Sequence, residues 1–250
     1  YIKSNCKRGY MAGDDDQTIY GFQGADPNYF MAQEGERDDQ EISRRVPRAV
    51  HKVAVKILER LENRIEKNWI PRDAEGEVHY NQTLDDLDFN EGHWMILART
   101  NKLLNNISEH FYSLGKRFSG KTNKHLPNDI LEVYQIWTRL NQGAVVSSEE
   151  AEKVYKYLVV KKGHVARGYS DGRTVQRETS VSLEKLKKDH GLLIEGDWKQ
   201  LHFPEETKEY MQTLLERGDD LMTKPKVQLI TLHGSKGKEC ENICLFTDYG

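Results

Sequence analysis

Trp94-Met-Ile-Leu-Ala98 is an unbroken apolar run that ends on Arg99-Thr-Asn101. A strand in which every residue is apolar has both faces covered, which is the situation of strands in parallel sheets lined by helices. The spacing that follows, Leu103 to Leu114, is helical, and Gly115 is a natural stop. Val227 to Leu232 and Ile243 to Phe246 repeat the strand signal, with the Gly-rich turn His233-Gly-Ser-Lys-Gly237 between them. Strands alternating with helices predict an α/β fold built on a parallel sheet.

At 250 residues the chain can form one large domain or two small ones around a real core. Its 37% hydrophobic and 31% charged content is that of a globular protein on the polar side, and no apolar run approaches bilayer length. The opening Tyr-Ile-Lys-Ser-Asn-Cys-Lys-Arg has no apolar segment of the signal-peptide kind. The net charge of -3 argues weakly against nucleic-acid binding, yet leaves room for a local basic groove. Cys6, Cys240 and Cys244 form no disulfide framework, which points to a reducing, cytoplasmic setting. Cys240-x3-Cys244 near His233 raises zinc, but without a second ligand pair the pair reads as strand cysteines.

Residues 1–12 read as a helix end and a strand. Asp26 is placed to cap a helix opening at Pro27 and running to Phe30, and 33–40 reads as a polar linker. From Val46 an apolar stripe at Val50, Val53, Ala54, Ile57, Leu58, Leu61 and Ile65 predicts one long helix, ended at Ile70-Pro71. Glu77 to Tyr80 reads as a short strand. Residues 119–224 are rich in Lys and Glu and helical in pattern, at 130–140, 149–160 and 205–217, with Ser147 and Ser148 as capping candidates and 163–172 as a loop. This block reads as a helical subdomain inserted into the α/β domain.

The most chemically specific stretch is Met11-Ala-Gly-Asp-Asp-Asp-Gln-Thr-Ile-Tyr-Gly-Phe-Gln-Gly-Ala25. It reads as the end of a buried strand that delivers three acids and an amide, followed by two aromatics set among glycines. The acids alone would be a solvated loop or a metal site. The amide suits a phosphate, and the aromatics suit a flat base, so the combination suggests a nucleotide site coupled to a nucleic-acid track.

Gly13 to Ala25 resembles motif III of the UvrD/Rep-like superfamily 1 helicases, G-D-D-D-Q-S-I-Y-G-(W/F)-R-G-A, with Thr18 in place of Ser and Gln23 in place of Arg. Ile42 to Val50 resembles motif IV, with Arg45 on the motif's arginine and Arg44 where a Tyr usually stands. Trp94 to Asn101 resembles the strand of motif IVa, with Arg99 at its end. Leu229 to Glu239 resembles motif V, T-x-H-x-x-K-G-x-E, matching at Thr231, His233, Lys236, Gly237 and Glu239.

The resemblance implies a RecA-like (P-loop NTPase type) sheet domain with an inserted, mostly helical subdomain. Residues 1–35 would be the tail of a first RecA-like domain, 36–118 and 225–250 a second, and 119–224 the insertion. It implies part of an ATP-dependent DNA helicase moving 3′ to 5′ on single-stranded DNA, with ATP and Mg²⁺ as cofactors. Gln17 and Arg45 would be catalytic, and Gln17, Arg44, Arg45, Gly237 and Glu239 would bind nucleotide. Tyr20, Phe22, Arg99, Thr231, His233 and Lys236 would bind DNA. An arginine suits the γ-phosphate because its planar fork is bidentate and always charged. No G-x-x-x-x-G-K-[ST] loop and no D-E-x-Q/D pair occurs, so the Mg²⁺ ligands are expected outside this chain, which reads as a piece of a longer protein and is not expected to hydrolyse ATP alone. The rival reading is a catalytically degraded helicase-like module that binds single strands or a partner, which Gln23 and Arg44 favour.

Overall fold

The computed structural model describes residues 9–62 and 64–247. The chain divides into two compact units, Tyr1–Asp88 with Ser235–Glu239, and Phe89–Gly234 with Cys240–Gly250. The helix end expected before residue 9 lies outside the described residues, as do Cys6 and Asp248 to Gly250.

The second unit is mixed α/β. Its sheet has four parallel strands, β1 (Trp94–Ala98), β2 (Phe118–Ser119), β5 (Val227–Thr231) and β6 (Asn242–Leu245), in the order β2-β5-β1-β6. The apolar run of β1 takes one of the two inner positions, where Met95, Ile96, Leu97 and Ala98 are all buried. β6 is an edge, and Ile243 and Leu245 face out from it. After β1 the Thr100 hydroxyl accepts the Leu103 N–H and starts helix α3 (Asn101–Ser113), which ends at Gly115 with φ +57°.

The chain leaves the sheet after Ser119 and returns at Val227. Between them lie α4 (Asn128–Asn141), β3 (Val146–Ser147), α5 (Ser148–Tyr155), β4 (Ser180–Val181), α6 (Leu183–Asp189) and α7 (Glu205–Glu216), with β3 and β4 paired antiparallel. Ser147 and Glu150 form a reciprocal capping box at the start of α5. That helix stops at Tyr155, five residues short of the expected Val160, where the backbone tightens and the Tyr157 and Leu158 N–H groups donate three residues back, to the Val154 and Tyr155 carbonyls (2.9 and 3.1 Å); the buried Tyr155 donates its hydroxyl to the His190 carbonyl (2.8 Å). Trp137, Tyr155, Phe203, Leu186 and Leu201 are sealed from solvent in this region.

Among its described residues the first unit holds two α-helices, α1 (Asn28–Met31) and α2 (Arg48–Leu58). Asp26 accepts the Asn28 N–H (2.9 Å), so its side chain caps as expected, but the helix opens one residue later, with Pro27 at the cap. Three expectations are corrected. Residues 9–12 form no strand, and Met11 is 63% exposed. Glu77 to Tyr80 form no strand either, and Tyr80 is exposed. The helix expected to reach Ile65 ends at Leu58. The physical reason is a competing acceptor, since the Ile65 N–H is taken by Asp15 at 2.7 Å rather than by a helical carbonyl. No helix among the described residues is long and apolar enough to cross a membrane.

Candidate functional site

The acidic stretch of the first unit forms a single 3-10 turn, Asp15–Gln17, capped by Asp14, whose carboxylate accepts the Asp16 N–H. Asp15 is not solvated as a loop acid would be: its side chain is 1% exposed. Lys67 Nζ lies 2.5 Å from Asp15 Oδ1 and also donates to Asp14 (2.6 Å) and Asp16 (3.0 Å). Arg64 grips Asp16 through two parallel bonds of 2.9 and 3.0 Å, the strong geometry for a guanidinium on a carboxylate. Burial pushes the Asp15 carboxyl up, but Lys67 and the Ile65 N–H outweigh it and hold it below the ordinary value. Arg64 first, then Lys67, does the same for Asp16. Burial alone would lower Lys67, yet the three carboxylates raise it. The carboxylate oxygens are close enough together to hold a cation, and the Lys67 ammonium is the cation that meets them.

Gln17 turns its amide to Asp14, with Nε2 donating at 2.5 Å, while its backbone carbonyl accepts from Lys236 Nζ at 2.9 Å. The aromatic segment forms the next 3-10 turn, Gly21–Gln23, closed by Gly24 at φ +85°, a conformation that a side chain would strain. Tyr20 and Phe22 sit with ring centroids 6.1 Å apart, and Lys236 Nζ lies 5.3 Å from the Tyr20 ring centre. Phe22 is 71% exposed, so it is not a core residue.

The arginine segment is shaped by Ser43, whose hydroxyl accepts the N–H groups of Arg45 and Val46 (3.3 and 3.0 Å) ahead of Pro47 and α2. Arg48 pairs with Asp73 and Glu75. Arg45 Nε approaches Glu239 Oε2 at 3.6 Å. Arg44 is exposed, with no hydrogen bond or ion pair among the described residues.

The short turn 235–239 therefore reaches both segments. Lys236 holds the acidic turn and lies over Tyr20, and Glu239 holds Arg45, with Gly237 between them at φ +77°. Gln17, Tyr20, Arg45, Lys236 and Glu239 are brought together in this way. Phe22 joins them through Tyr20, and Arg44 through its neighbour in sequence.

Arg99, Thr231 and His233 belong to the second unit. Ala98 and Thr231 are register partners, and the Leu232 N–H donates to the Ala98 carbonyl at 2.9 Å. Arg99 and the Thr231-to-His233 turn thus gather at the carboxyl ends of adjacent parallel strands, the edge where ligands bind in open α/β sheets. The Thr231 hydroxyl accepts the Gly234 N–H (3.1 Å) and shapes the turn.

No family model, curated protein or solved structure matches this chain.

Arg64 and Lys67 escape a reading of the sequence, because they stand where the apolar stripe predicts more helix. The available signal was charge: three consecutive acids need cations wherever one of them is buried.

Proposed function

We propose that this chain is part of an ATP-dependent helicase or translocase moving on single-stranded DNA, 3′ to 5′, with the four-stranded sheet as a RecA-like core. The observation that carries this reading is the turn 235–239, which contacts the Gln17 segment through Lys236 and the Arg45 segment through Glu239. Two stretches that each resemble a helicase motif, and residues 235–239 of a third, lie far apart in sequence and share one compact unit.

The chemistry follows from the side chains. Arg45 and Glu239 are 64% and 70% exposed and 3.6 Å apart. A surface pair of this kind contributes about 0–1 kcal/mol, so either partner can leave it for a stronger one. Arg45 would then meet the γ-phosphate, where positive charge stabilises phosphoryl transfer, and Glu239 would accept a ribose hydroxyl. Gln17 would turn its amide from Asp14 to the phosphate, Gly237 would let the nucleotide approach the turn, and the Arg44 plane would lie on the base. Tyr20 and Phe22 would stack on bases of the strand. Arg99, Thr231 and His233 would follow its backbone. Lys236, bonded to the Gln17 carbonyl and lying over Tyr20, would join the nucleotide side to the strand side. ATP with Mg²⁺ supplies the energy, its metal ligands lying outside these residues.

The test is ATP hydrolysis stimulated by single-stranded DNA in the longer protein that carries this chain. Arg45→Ala is expected to cut turnover by about 10³–10⁵ while changing nucleotide affinity far less. Equal rates would reduce Arg45 to surface charge. Strand binding without hydrolysis would favour the rival single-strand-binding module.

A further inference from the structure

The second unit has a cleft of about 400 Å³ at the other edge of its sheet. Its walls come from the segments that lead into β1, β2 and β5, namely Phe89-Asn90, Gly115 to Arg117 and Thr223 to Lys226. Because all four strands are parallel, this is their amino-terminal edge, opposite Arg99, Thr231 and His233.

Five cations line it, Lys116, Arg117, Arg217, Lys224 and Lys226, against two carboxylates, Asp219 and Asp220, a net charge of +3. Several cations elsewhere in the same unit pair with acids, as in Lys124–Glu206, Arg139–Glu150, Lys153–Glu132 and Lys185–Glu178. The cleft cations bond instead to neutral carbonyls. Arg117 donates to those of Asp220, Leu221 and Thr223, Arg217 to those of Leu114 and Gly115, and Lys226 to that of Asn90. A carbonyl uses a proton but leaves the charge. Arg117 Nε is buried with no acceptor among the described residues. Lys116 rests its ammonium 5.2 Å from the centre of the Phe89 ring, and Lys224 makes no hydrogen bond or ion pair among the described residues. These two keep N–H donors for a ligand, while the arginines fix the walls. The volume suits a small ligand, and uncompensated cations on a concave wall concentrate anions.

We propose that this cleft is a phosphate-binding site, distinct from the turn 235–239, with Lys116 and Lys224 as its donors. The phosphate belongs to a phosphorylated small molecule or to a nucleic-acid backbone, which present the same oxyanion.

Calorimetric titration of the chain with inorganic pyrophosphate at low salt tests it. Binding is expected, and Lys116→Glu with Lys224→Glu should weaken it by about tenfold or more with the melting temperature unchanged. Lys188→Glu, a charge-matched change on α6, should leave it within a factor of about two. Should the double variant melt early, Lys224→Ala alone is expected to weaken binding, and unchanged affinity would overturn the proposal. An absence of binding by the parent chain, or an equal loss in Lys188→Glu, would also overturn it. A single-stranded oligonucleotide that displaces pyrophosphate supports the site with a strand backbone as its source, and simultaneous binding of both supports it with a small phosphorylated ligand.

Discussion

Every buried apolar side chain among the described residues lies in the second unit, between Phe89 and Leu229. In the first unit a single described residue is buried, and it is a carboxylate, Asp15. The second unit is ordered by apolar burial, which contributes ~25 cal/mol per Å² and has no partner to lose. The first is ordered by Lys67 and Arg64 on three aspartates, by backbone bonds, and by the two contacts of the turn 235–239. Val53, Leu58, Ile65 and Trp69 are only half-buried there, and other large apolar side chains stay outside: Phe22 is 71% exposed, Tyr29 76%, Ile42 68% and Ile57 57%. Even α2, amphipathic in sequence, buries none of its residues. One part of the molecule buries its apolar residues in a core, and the other leaves several of its largest exposed.

The largest effect that would break this contrast is in the second unit. Trp137 is 1% exposed and donates to the Gly196 carbonyl at 2.9 Å. Trp137→Ala should cost about 3–5 kcal/mol through the cavity and the lost bond, read as a large fall in the denaturation midpoint. A loss below about 1 kcal/mol would mean that this core does not carry the unit.

A smaller, local effect belongs to the first unit. Asp15→Asn removes the charge that Lys67 and the Ile65 N–H meet. Hydrogen exchange at the Ile65 amide should accelerate by the equivalent of about 1–3 kcal/mol, while the amides of Ile96 and Leu229 stay protected. Loss of protection at all three would make the two units one cooperative structure. The pH dependence has a definite sign. Asp15 and Asp16 are held below the ordinary aspartate value, so their contribution is complete above about pH 4. It is lost as pH falls through the lowered folded values. Lys67 is raised, so its contribution persists below the ordinary lysine value and is lost only as pH rises through the raised one. Excess protection at Ile65 should be flat across neutral pH and fall in acid.

The same division governs what could be read from residues alone. The apolar run of β1, the Ser147 cap, and the spans of α3, α4 and α7 are local patterns, and the second unit follows them. Its short elements β2, β3, β4 and α6 carry too few residues to show a period. The early end of α2 was not legible, because the acceptor that takes the Ile65 N–H stands 50 positions away. The stripe through Leu61 and Ile65 is real as a pattern, but a buried carboxylate outbids it. Glu77 to Tyr80 has strand-like residues and no neighbour to pair with. The candidate site was legible as motif residues, but the contacts of Lys236 with Gln17 and of Glu239 with Arg45 span about 200 residues and exist only in the fold. The basic cleft was invisible for the same reason, being assembled from three separate segments.

The central claim is that the first unit is a binding surface, whose exposed aromatics serve a flat ligand. Affinity for single-stranded DNA and melting temperature, measured together on Phe22→Ala, test it most directly. One lost base stack is worth about 1–3 kcal/mol, so affinity should fall between about 5-fold and 150-fold, with melting unchanged because the ring is 71% exposed. A lowered melting temperature with unchanged affinity for DNA would contradict the account.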